Sequence, residues 1–169
     1  MSLIIKYELT GAGWAEAEFA MPHKNIKIKI SYLSNPLPEI IKGILNISQL
    51  KTEFVEVLFS DEPGEIKLQI TKISKNEIQL SFYLHAEALF SSVIPSPIKI
   101  KPKTILKLAP LKIQDYIHEG SYQCSLKELI CSIIVAVDNL ILKVPIRKYK
   151  SIWTMPFPTK AYNDLKTLL

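Results

Sequence analysis

Residues 3–9 place Leu3, Ile5, Tyr7 and Leu9 on one side of an extended chain and Ile4, Lys6 and Glu8 on the other. Side chains of a strand point alternately to its two faces, so this rhythm predicts a strand with one buried face. Thr10-Gly11-Ala12-Gly13 follows as a turn, because glycine enters positive φ without steric cost. The rhythm resumes at 14–20, where Ala15, Ala17 and Phe19 alternate with Glu16 and Glu18. Met21–Asn25 reads as a second turn. Ile26, Ile28, Ile30 and Tyr32 then alternate with Lys27, Lys29 and Ser31. Successive strands joined by short turns predict an antiparallel meander.

The period changes at Leu37, Ile40, Ile41, Ile44 and Leu45, which line one stripe of a helix. Ser34 or Asn35 is placed to cap it, and Pro36 or Pro38 suits its first turn. Gly43 weakens it slightly. Alternation returns at Val55, Val57 and Phe59, at Ile66, Leu68 and Ile70, and at Ile78, Leu80, Phe82 and Leu84. The turns Asp61-Glu62-Pro63-Gly64 and Ser74-Lys75-Asn76 join these into a second meander. Residues 86–119 carry Pro95, Pro97, Pro102 and Pro110, which break helices and confine strands to sheet edges. This stretch reads as an irregular Pro- and Lys-rich insertion or edge hairpin, and Gly120–Cys124 as a last short strand.

Ser125-Leu126-Lys127-Glu128 has the form of a capping box ahead of an apolar run. Leu129, Ile130, Ile133, Ile134, Val137, Leu140 and Ile141 then recur at helical spacing, ending before Pro145. The tail Thr159–Leu169 fits a short helix with Tyr162, Leu165 and Leu169 inward. The expectation is one α+β domain over 1–169. It has an antiparallel sheet of six to seven strands in two meanders, covered on one face by a short and a long helix.

Composition adds limits. The chain has 169 residues, of which 48% are hydrophobic and 22% charged, so it is long and apolar enough to bury a core without staples. Its two cysteines, Cys124 and Cys131, are too few for a disulfide scaffold and read as reduced thiols. Lys6 and Glu8 interrupt the apolar start, so no export signal is expected, and no apolar run reaches the roughly 20 residues of a membrane span. The expected compartment is the cytoplasm.

The net charge of +5 is uneven, −1 over residues 1–85 and +6 over 86–169. Lys99, Lys101, Lys103, Lys107 and Lys112 make a basic stretch with no acid between Glu87 and Asp115. In an extended segment Lys99, Lys101 and Lys103 point the same way and suit an acidic protein surface or phosphates. Arg147 is the only arginine and few aromatics interleave, which disfavours base readout and stacking. The plain reading is lysines guarding an exposed edge strand.

Signals for catalysis are thin. His23, His85 and His118 lie far apart in sequence and none neighbours a cysteine, so no metal and no cofactor is expected. Gly11 and Gly13 precede a strand, which makes them a hairpin turn and not a dinucleotide loop. Cys124, beside a helix start, has the position that lowers a thiol pKa, against the plain reading of a small core residue. Glu16 and Glu18 share a strand face about 7 Å apart, the arrangement of paired acid and base carboxylates or of a solvated face.

Gly11-x-Gly13-Trp14-Ala15, Tyr32-Leu33-Ser34, Asp61-Glu62-Pro63-Gly64-Glu65 and Trp153 followed by Phe157-Pro158 together resemble a loosely defined group of small bacterial α+β proteins. These are similar to the immunity partners of polymorphic-toxin and contact-dependent-inhibition systems. The resemblance covers the first half and the closing segment, and it carries no catalytic residue across. The basic charge departs from the acidic balance common in immunity proteins that block basic nucleases.

Three functions follow. The first is a non-catalytic binding protein that neutralises a cognate toxin, with Lys99, Lys101, Lys103, Lys107 and Lys112 as its partner-binding residues. The second is a nucleic-acid-binding module that uses the same lysines. The third is an enzyme with a dispersed site around Glu16, Glu18 and His85. The first is preferred.

Overall fold

A computed structural model describes residues 2–62, 64–85 and 116–169. It is α+β, with seven strands and four helices among these residues. The first sheet holds β1 (Ile4–Gly11), β2 (Trp14–Met21) and β3 (Lys24–Ser31) in the antiparallel order β1-β2-β3. Helix α1 (Pro36–Ser48) follows. The second sheet holds β4 (Phe54–Asp61), β5 (Gly64–Lys72), β6 (Glu77–His85) and β7 (Tyr116–Ser125), in that order. Helices α2 (Leu126–Lys143), α3 (Ile146–Trp153) and α4 (Thr159–Lys166) complete the described chain.

The alternating residues take the faces that their period requires. Ile5, Tyr7, Ala15, Ala17, Phe19, Ile28 and Ile30 are buried, and so are Val57, Phe59, Leu68, Ile70, Leu80 and Phe82. The inner faces of the two sheets share one core. The Phe19 ring of β2 meets Phe59 of β4 and Phe82 of β6 edge-on, with centroids 6.2 and 5.0 Å apart. Such aromatic pairs add specific geometry to a large buried area. The first hairpin turns through Gly11, Ala12 and Gly13 at φ +107°, +52° and +80°, a left-handed run that explains the glycines.

The expected single sheet is two sheets. The cause lies at the edge of β4. The Ser60 N–H donates to Ser34 Oγ at 3.0 Å, and the Leu58 N–H donates to the Glu39 carboxylate. The edge groups that a neighbouring strand would use are thus met by side chains at and just before α1. β3 instead passes across the second sheet. The Lys24 ammonium at its start donates to Glu119 of β7 at 2.9 Å, and Lys29 near its end lines a groove with Asp61 of β4.

The same bonds revise the helix starts. Asn35 is the α1 N-cap residue, yet neither it nor Ser34 caps the helix. Asn35 Oδ1 accepts from the indole N–H of fully buried Trp153 at 3.0 Å. At α2 the Ser125 hydroxyl caps the Glu128 N–H at 3.0 Å. The Glu128 carboxylate does not close the box; it accepts from the Leu3 N–H at 2.7 Å and holds β1 against α2.

Three helices were expected, a short and a long one over the sheet and one in the tail, and four are present among the described residues. α3 was not anticipated. Its mean composition is polar, but Tyr149 and Trp153 are buried one turn apart. The Gly13 N–H donates to the Ile152 carbonyl at 3.0 Å, tying α3 to the first hairpin. In α4 Tyr162 and Leu165 are buried as the spacing predicts, but Leu169 lies beyond the helix and is 59% exposed. β7 is longer than the expected 120–124: residues 116–119 belong to it and not to an irregular insertion. The rest of that stretch lies outside the described residues. No single helix among the described residues is long and apolar enough to cross a membrane.

Candidate functional site

The outward side chains of the first sheet fall into two cross-strand rows. Register sets Lys6 opposite Glu18 and Glu18 opposite Lys27; one step along, Glu8 faces Glu16 and Glu16 faces Lys29. Together with Asp61 these rows line an open groove of about 510 Å³. Period two places them there: the residues between them are core, so every second side chain of β1, β2 and β3 faces out.

The first row is locked. Glu18 accepts from Asn25 Nδ2 at 2.6 Å and from Lys6 Nζ at 2.9 Å, with Lys27 Nζ at 4.0 Å. The Asn25 hydrogen bond, then that of Lys6, holds its carboxyl below the usual carboxylate range. Glu18 is therefore a fixed negative charge flanked by two exposed lysines. The second row is less balanced. Glu8 and Glu16 sit directly opposite, an arrangement that costs stability in a sheet. Lys143 of α2 relieves Glu8 through a 2.6 Å ion pair. At the far end, partial burial pushes the Asp61 carboxyl up, and Lys29 draws it back. The first row thus sets one carboxylate between two lysines, and the second sets two carboxylates beside Lys29 and Asp61, two strand residues along.

Glu16 and Glu18 do share this face, as their spacing predicts. His85 does not join them. It lies on β6, 3% exposed, with its ring against Tyr116 of β7 at 5.2 Å, and it is not among the described residues that line the groove. The dispersed site around Glu16, Glu18 and His85 is not assembled. Cys124 is buried, and burial pushes its thiol up to about 12, opposite to the lowering that a helix start suggested. It acts as a core residue. Cys131 is half-buried and also free. Among the described residues no group of three metal-ligating side chains converges. His23 lies in the β2–β3 turn, while His118 on β7 bonds Ser121 Oγ at 2.9 Å.

Lys99, Lys101, Lys103, Lys107 and Lys112 lie outside the described residues. Arg147, Lys148 and Lys150 are exposed on α3, and Lys143 at the end of α2 is exposed as well. Sequence spacing marked Glu16 and Glu18 but not Lys6, Glu8, Lys27 and Lys29 as their neighbours. Only strand register brings these together.

No protein-family model matches the sequence, and no curated protein and no solved structure matches it.

Proposed function

We propose that the chain is a non-catalytic binding protein that neutralises a cognate protein partner, in the manner of a toxin–immunity pair, by covering that partner's active surface. One observation carries this reading: the outer face of the first sheet presents charges in fixed cross-strand register, with Glu18 clamped between Lys6, Lys27 and Asn25. A pre-ordered pattern of both signs selects and steers a partner with the opposite pattern. It loses little side-chain entropy on contact. A sheet face of three eight-residue strands offers about twelve outward side chains, roughly the central half of the 20–30 residues a side that a standard interface uses.

The test is mass spectrometry of what copurifies with the tagged chain from its native cell, beside the same chain carrying Lys27→Glu and Lys29→Glu. The reading predicts one protein captured in stoichiometric amount and lost from the double variant. Equal capture by both chains, or capture of nucleic acid that vanishes steeply with salt, contradicts it.

A further inference from the structure

One end of the molecule gathers the close of α1, the β5–β6 turn, the start of α2 and the residues that follow α4. Two adjoining shallow grooves of about 690 and 500 Å³ lie there and share Ser48, Asn76 and Leu126. Large apolar side chains line them and stay open to solvent: Leu50 is 75% exposed, Ile73 46%, Leu168 38% and Leu169 59%. Single exposed apolar residues are ordinary on a folded surface, but a cluster of them marks an interaction site.

Leu50 carries a cost. It follows α1 at φ +58°, in the left-handed region. The Leu50 N–H donates to the Ile47 carbonyl at 3.2 Å and the Lys51 N–H to the Asn46 carbonyl at 2.9 Å, a helix ending whose left-handed position glycine usually fills. A leucine there strains the backbone and, being exposed, gains no burial in return. Around it stand Lys51, Lys72, Lys75 and Lys127, of which Lys72 is half-buried and the rest exposed. None of the four has an ion pair among the described residues, unlike Lys6, Lys24, Lys67 and Lys143. Against them stand the exposed carboxylates of Glu53 and Glu77, which leaves a basic excess.

We propose that this end seats on an anionic lipid bilayer, with Leu50 and Ile73 entering the interfacial layer and the four lysines meeting lipid phosphates. Apolar side chains held on turns suit a soft boundary that they can enter, and unpaired lysines suit its negative charge. Composition decides against a protein occupant. The cores of protein interfaces favour aromatic residues and arginine and are poor in lysine, whereas this end offers leucine, isoleucine and lysine. The contact is peripheral, and it uses none of the side chains of the first-sheet face.

The test is co-sedimentation of the full chain with vesicles of phosphatidylcholine, pure or mixed with an equal share of phosphatidylglycerol. The chain is expected on the anionic vesicles and not on the neutral ones, with affinity falling as salt rises. Leu50→Gly removes the apolar side chain and suits the left-handed backbone, so a thermal melt at or above the parent's is expected. The same variant weakens vesicle binding by about tenfold. Lys51→Glu with Lys75→Glu weakens it by about tenfold or more, since each lysine near an anionic surface is worth about fivefold. No binding to the anionic vesicles overturns the proposal. Binding that either variant retains in full places the contact on other lysines of this basic chain and overturns it too. A protein captured from the cell by the parent and lost by Leu50→Gly, with no vesicle binding, makes this end a protein interface and also overturns it.

Discussion

Tyr7 of β1 and Tyr149 of α3 bury their hydroxyls without a hydrogen-bond partner among the described residues. A buried, unmet polar group costs about 1–3 kcal/mol. Tyr149→Phe keeps the ring, including its edge contact with Phe157 at 5.3 Å, and removes the orphan. We expect it to raise stability by about 1 kcal/mol in denaturant titration, near the low end of that cost. A loss of stability means that the hydroxyl has a partner in solution. The same burial sets an alkaline limit. Desolvation raises the pKa of both phenols above the ordinary value of about 10. The unfolded chain then releases these protons first as pH rises. Stability is full below about pH 10 and falls above it, and the fall is shallower in Tyr149→Phe. A slope unchanged by that substitution contradicts the assignment.

At the scale of elements, α1 and β4 meet so closely that Gly43 has a packing role. A Cβ built there falls 2.5 Å from Val55 Cγ1. In an open helix face, glycine to alanine stabilises by about 1 kcal/mol; here Gly43→Ala is expected to destabilise by about 1–3 kcal/mol through overpacking. Adding Val55→Ala removes the obstructing methyls and recovers most of the loss. Thermal melts of the two variants check this, and a stabilised Gly43→Ala contradicts it.

Gly43 also shows where sequence reading stops. Propensity marks it as a weak point of α1, whereas its reason is a neighbour twelve residues away. Strand positions were legible because period two needs no tertiary information: Ile26, Ile28 and Ile30 are buried as their alternation requires. The division into two sheets was not, because it depends on Ser34 and Glu39 reaching the β4 edge. The caps misled for a related reason, since Asn35 engages Trp153 instead of its own helix. α3 stayed hidden because only Tyr149 and Trp153 of its eight residues are buried. Of the candidate site, Glu16 and Glu18 were visible as neighbours on one strand. Their pairing with Lys6, Lys27 and Lys29 required the register of three strands.

At the scale of the molecule, the two sheets and four helices of the described residues close on one core, with Trp153, Tyr149, Phe19, Phe59 and Phe82 among its largest fully buried side chains. Anchors from the first hairpin, α1 and α3 converge there through the Gly13–Ile152 and Asn35–Trp153 bonds. The first sheet is thereby braced from behind, and its outer face carries the charged rows. The most direct measurement is hydrogen–deuterium exchange of the chain with and without the protein it captures in the cell. Added protection is expected in β1, β2 and β3, with β5 and β6 unchanged. Protection confined to the second sheet, or none at all, contradicts it.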